Sequence, residues 1–93
     1  MRVLKLSDKV DLADMKYDEF SVASELKCVR SIDLDIILIQ DGVMYHNSTA
    51  KDNGEMRNDL ASLIAGTEIY GTAIISGRHG DDVPQQFIDA YLT

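Results

Sequence analysis

Residues 32–46 carry the most regular pattern in the chain. Ile32, Leu34, Ile36 and Leu38 fall on one face of an extended segment, and Ser31, Asp33, Asp35, Ile37 and Ile39 fall on the other, because successive side chains of a strand point to opposite sides. Asp41-Gly42 separates this run from Val43-Met44-Tyr45-His46, and an Asp-Gly pair readily takes the two positive φ angles of a tight hairpin turn. The pattern predicts a β-hairpin that pairs Gln40 with Val43 and Leu38 with Tyr45.

The rest of the chain divides around this hairpin. Residues 2–6 alternate charged with apolar side chains and predict a first strand, whereas residues 7–16 are acidic and irregular, with Val10, Leu12 and Met15 able to touch a core. Phe20, Val22, Ala23 and Leu26 lie on one helical face, with Tyr17 or Asp18 as the cap. After a polar loop over 47–54, Met56, Leu60, Leu63 and Ile64 recur at helical spacing over 55–65, and Gly66 is placed as the left-handed residue that ends a helix. Residues 67–76 read as another strand, in which Gly71 marks a bulge or a close backbone neighbour. A turn over 77–81 leads to a last helix, capped by Asp82, with Pro84 in its first turn and Phe87, Ala90, Tyr91 and Leu92 as its apolar stripe. The order β-α-β-β-α-β-α predicts an α+β fold: one small mixed or antiparallel sheet of about four strands with the helices packed on one face.

Length and charge narrow the function classes. Ninety-three residues make one small domain, residues 1–93, without room for a cofactor domain beside a substrate domain. The formal net charge of -7 argues against direct nucleic-acid binding, which rests on clustered lysine and arginine. Cys28 is the only cysteine, so no intrachain disulfide forms, as expected of a protein of a reducing cytoplasm. The longest apolar run, Ile36 to Ile39, is far too short for a membrane span, and no signal segment or membrane association is expected.

The stretch Leu63-Ile64-Ala65-Gly66-Thr67-Glu68-Ile69-Tyr70-Gly71-Thr72-Ala73-Ile74-Ile75, a glycine turn, and then Asp82-Val83-Pro84 and Phe87 resemble a family of small domains of unknown function found mostly in bacteriophages and mobile elements. Those domains also carry a short first strand, a central hairpin, an IAGT-like strand, a Gly/Asp turn and a closing helix. The resemblance is strongest over residues 60–93. It implies a phage origin and a small non-catalytic fold, and it supplies no active site.

Candidate chemistry is sparse. His46 and His79 are the only histidines, and neither stands in a metal-ligand spacing with a cysteine or a second histidine, so no metal and no cofactor are expected. Lys27 and Arg30 flank Cys28 and would lower a thiol pKa, but a lone cysteine commonly serves as a small core hydrophobe. Asp33 and Asp35 sit two apart on one strand face, roughly 7 Å from each other, a separation that glycosidases use, yet a chain of this size leaves little cleft around them. No enzyme activity is expected. Gly77-Arg78-His79-Gly80 offers backbone N–H groups and a cation to a small anion, opposed by the acids that follow. Acidic residues are concentrated: Asp33, Asp35 and Asp41 lie in a segment free of Lys and Arg, and Asp59, Glu68, Asp81, Asp82 and Asp89 face only Arg78 over residues 59–93. Such a distribution keeps a small protein dispersed, and it also imitates a line of phosphates to a basic groove.

Two functions follow as expectations. In the first, a phage-borne binding protein uses Asp33, Asp35, Asp41, Asp81 and Asp82 to block a basic, nucleic-acid-handling host defence protein, a mimic of the anti-CRISPR type. In the second, an oligomer holds a small anionic nucleotide with Gly77, Arg78, His79 and Gly80. The hairpin edge is also open to pairing with a second copy, so a homodimer is compatible with either.

Overall fold

The computed structural model describes residues 1–92. β1 (Arg2–Leu6) turns through residues 7–9 into β2 (Val10–Asp14), and α1 (Glu19–Glu25) follows. A 3-10 turn, Ser31–Asp33, leads into β3 (Leu34–Ile39), which pairs with β4 (Gly42–Asn47). α2 (Asp59–Ala65), β5 (Ala73–Ser76), a second 3-10 turn (Arg78–Gly80) and α3 (Gln85–Tyr91) complete the α+β domain. The five strands form one sheet in the order β2-β1-β5-β4-β3, every neighbouring pair antiparallel.

The sheet therefore has five strands where the sequence predicts about four. The additional one, β2, occupies the segment expected to be irregular. It is an edge strand, paired from Arg2↔Asp14 to Leu6↔Val10, and none of its residues is fully buried. Its Asp11 and Asp14, with Lys9 just before them, are the kind of charge that edge strands carry. Those charges obscure the alternation of Val10 and Leu12 that marks it as extended.

Helices on one face is a second expectation that the fold corrects. Every residue of β4 and of β5 is buried, and strands buried on both sides need cover on both sides. On one face Leu4, Leu6, Met44, Ala73 and Ile75 meet Ala61 of α2 and Phe87 of α3. On the other, Val3, Val43, Tyr45 and Ile74 meet Val22 and Leu26 of α1. The second cover is narrow: α1 has seven residues and leaves the β3 side of its face open, with Ile36 56% and Leu38 70% exposed.

The hairpin forms with a different register from the predicted one. Its turn residues are Gln40 and Asp41, so Ile39 faces Gly42 and Leu38 faces Val43. Asp41 supplies the positive φ, at 64°. Gly42 belongs to the strand, where a Cβ would lie 2.9 Å from the Ser76 carbonyl oxygen of β5. The pairing slides by two residues, so Leu38 and Tyr45 keep the common face they were expected to share. Residues 31–33 leave the strand for the 3-10 turn, which removes Asp33 from the face it was expected to share with Asp35.

α2 begins at Asp59 and not at residue 55, capped by Asn58, whose side chain accepts from the Ala61 N–H, and Gly66 at φ 73° closes the helix as predicted. Met56 and Leu63, two of the expected apolar stripe, are 85% and 76% exposed; the other two, Leu60 and Ile64, pack as expected, together with Ala61. Of residues 67–76 only the last four are strand, with Tyr70 bridged to Arg57 and Gly71 at φ 73° turning the chain between them. Pro84 stands at the cap of α3, and Asp82 instead accepts a hydrogen bond from the Arg2 N–H, tying this loop to the start of β1. Asp18 caps α1 as expected, accepting from the backbone N–H of Ser21 at 2.8 Å and from its hydroxyl at 2.9 Å.

Candidate functional site

The antiparallel registers bring the starts of β1 and β4 and the ends of β2, β3 and β5 to one end of the sheet. The loops and element ends there carry Asp14, Asp18, Glu19, Asp41, Asp81 and Asp82, against Arg2, Lys16 and Arg78. They are knitted together by short contacts. The Gln86 amide donates to Asp41 at 3.0 Å, the Gly77 N–H to the Asp81 carbonyl at 3.0 Å, and the Arg78 guanidinium to the Ile39 carbonyl at 3.3 Å. Gly80, at φ 81°, lies against the Tyr17 ring so closely that a Cβ there would overlap it.

Beside this acidic end a groove of about 520 Å³ runs along the open face of β3. Val22, Val43 and Tyr45 form its floor, Ile36 and Leu38 its outer side, and Tyr17, Arg78 and His79 one wall. A second apolar hollow of about 500 Å³ lies across α1, where Phe20, 84% exposed, and Val29, 88% exposed, surround Ala23 and Cys28. Asp18 and Glu19 border both. A run of exposed large apolar side chains of this kind marks an interaction surface more often than an ordinary monomer surface does.

The sequence-predicted residues divide between this end and other places. Asp41, Asp81 and Asp82 gather at the acidic end, with Asp82 committed to the Arg2 N–H. Asp35 lies on β3, where one oxygen accepts from the Ile36 N–H and the other from the His46 ring at 3.0 Å. Asp33 is buried, accepts from the Arg30 backbone and guanidinium, and so presents no free charge. Of the residues expected to hold an anion, Gly77 is buried, Gly80 packs on Tyr17, and Arg78 and His79 face the groove. The exposure of Ile36, Leu38 and Phe20 was not foreseen: each has the apolar character of a core residue, but the short α1 leaves Ile36 and Leu38 uncovered and turns its own Phe20 to solvent.

Two groups have shifted acidities. Hydrogen bonds from the Ser21 backbone and hydroxyl hold the Asp18 carboxyl below the usual carboxylate range. The support this gives α1 is complete above about pH 4 and is lost as pH falls through the lowered value, since protonation removes the acceptor. The Ser21 amide resonance should therefore titrate at lower pH than a free aspartate does, and Asp18→Asn should abolish that titration. Burial, with the Asp33 carboxylate nearby, pushes the Cys28 thiol up, the reverse of the activation that Lys27 and Arg30 suggested. Alkylation of Cys28 at neutral pH should be slower than that of a free cysteine, because the thiolate is the nucleophile.

Among the described residues, no three His, Cys, Asp or Glu side chains converge to hold a metal ion, and no helix is long and apolar enough to cross a membrane. No family model, curated protein or solved structure matches the chain.

Proposed function

We propose that the chain is a non-catalytic binding domain that occupies a basic, nucleic-acid-handling protein of a bacterial host and blocks it. The observation that carries this reading is the apolar groove along β3 set directly beside the acidic end of the sheet. Desolvated apolar contact supplies most of the affinity of such interfaces, while surrounding charge selects the partner and speeds encounter. The acidic end offers what a phosphate-binding surface accepts: carboxylates spread over several loops and held apart by backbone contacts. A host protein as the target follows from the phage origin expected of residues 60–93.

Charge reversal of Glu19, Asp41 and Asp81 to lysine tests this. All three are exposed, and none holds a buried contact. Immobilised protein should retain a basic partner from bacterial lysate, release it at about 0.5 M salt, where exposed charges are screened, and lose it to added duplex nucleic acid. The reversed variant should retain none. Equal retention by both proteins removes the acidic end from the interface, and a nucleotide co-purifying with the wild type, and lost in Arg78→Ala, favours the anion-holding alternative.

A further inference from the structure

β3 ends the sheet, so among the described residues its outer side has no strand against it. In a hairpin with a two-residue turn the flanking residues form a hydrogen-bonded pair, and the classes then alternate. Ile39, Ile37 and Asp35 thus bond to β4, a series continued by the Ser48 N–H on the Asp33 carbonyl at 2.8 Å. The N–H and C=O groups of Ile36 and Leu38 and the C=O of Leu34 consequently point outward, while the Leu34 N–H closes the 3-10 turn on the Ser31 carbonyl. The side chains of the same three residues face the groove.

We propose that this edge and groove together form a strand-addition site for an extended segment of the partner, apolar at alternate positions and carrying lysine or arginine beside them. The segment's backbone pairs with Ile36, Leu38 and the Leu34 carbonyl, and its apolar side chains lie next to theirs over the groove. The inference rests on the basic-partner reading above and adds the form in which that partner is held. Recognition by strand addition takes affinity from main-chain bonds and specificity from pockets for alternate side chains, and both are present here on one element.

Three observations fit that occupant. The opposite edge is guarded by Asp11 and Asp14, whereas β3 carries four apolar residues in a row, Ile36 to Ile39, without proline or lysine. The Asp35 carboxylate holds the outward Ile36 N–H at 3.0 Å in the free protein, which keeps that donor satisfied until a partner carbonyl replaces it. Asp18 and Glu19 border the groove, Asp35 lies in the strand and Asp41 in the turn after it, while Arg78 on the groove wall is held on the Ile39 carbonyl and the nearby Arg30 is paired with Asp33. A second copy would bring the same carboxylates and a further net charge of -7 to this face, whereas a cationic segment answers them.

The experiment uses the intact protein and two short peptides, one alternating valine with lysine and the other valine with glutamate. The lysine peptide should bind saturably and slow amide exchange at Leu38, and the glutamate peptide should do neither. Leu38→Pro removes an outward N–H without removing a bond to β4 and should weaken binding by about tenfold. Exchange in the wild type gives the same information should that variant fold poorly. Charge-selective binding without protection of the β3 amides, and unchanged by Leu38→Pro, overturns strand addition and leaves the basic-partner reading standing. Binding of both peptides alike, or of neither, overturns both. A dimer in native mass spectrometry that Leu38→Pro converts to monomer makes the occupant a second copy and overturns the proposal.

Discussion

Ile74→Ala is expected to lower stability by about 2–5 kcal/mol, a large share of the roughly 5–15 kcal/mol that holds a small domain folded. Ile74 is fully buried in β5, between β1 and β4, on the face that only α1 covers. Its neighbours there include Val3, Val22, Leu26 and Tyr45. Truncation leaves a cavity that a seven-residue helix cannot fill by settling, because Lys5–Glu25 and the Asn47 amide on the Leu26 and Lys27 carbonyls hold its far end in place. Ile36→Ala, on the same face but exposed, should change stability by about 0.5 kcal/mol or less. Urea denaturation followed by circular dichroism measures both. A comparable loss for the two variants would mean that the groove face is covered in solution.

Asn58→Ala should cost about 2–4 kcal/mol, more than an ordinary helix cap. One side chain makes three bonds: its oxygen accepts from the Ala61 N–H at 3.0 Å, and its amide donates to the Leu6 carbonyl at 3.0 Å and the Gly71 carbonyl at 2.8 Å. It therefore joins the start of α2, the end of β1 and the approach to β5. Asn58→Ser keeps the cap and loses the two donations, so its midpoint should fall between wild type and alanine. If serine restores wild-type stability, the two carbonyls are satisfied by water and Asn58 is only a cap.

The hairpin, the helix ends at Asp18 and Gly66, and the α+β class were legible because each is written in adjacent residues. What local pattern missed depends on partners far along the chain. β2 is extended because β1 binds it, and Gly42 is a glycine because β5 passes close by, not because a turn needs it. Phe20, Met56 and Leu63 read as core and are exposed, since a periodic apolar position says nothing about whether a neighbour covers it. For the candidate site, Asp41, Asp81 and Asp82 were found by their charge, and the fold brings them to one end. Asp33 was misplaced because a 3-10 turn interrupts the alternation just before β3. The groove itself was invisible, being made by the absence of cover over an otherwise ordinary apolar strand.

The two borders of the sheet are unlike, and that asymmetry limits how copies of the chain can associate. A protein with two adhesive borders can polymerise without end, each unit docking the next. Here Asp11 and Asp14 make one side repellent. Head-to-tail growth of the kind that builds fibres has no second face to continue on, so crowding this protein should yield pairs at most and leave the solution clear.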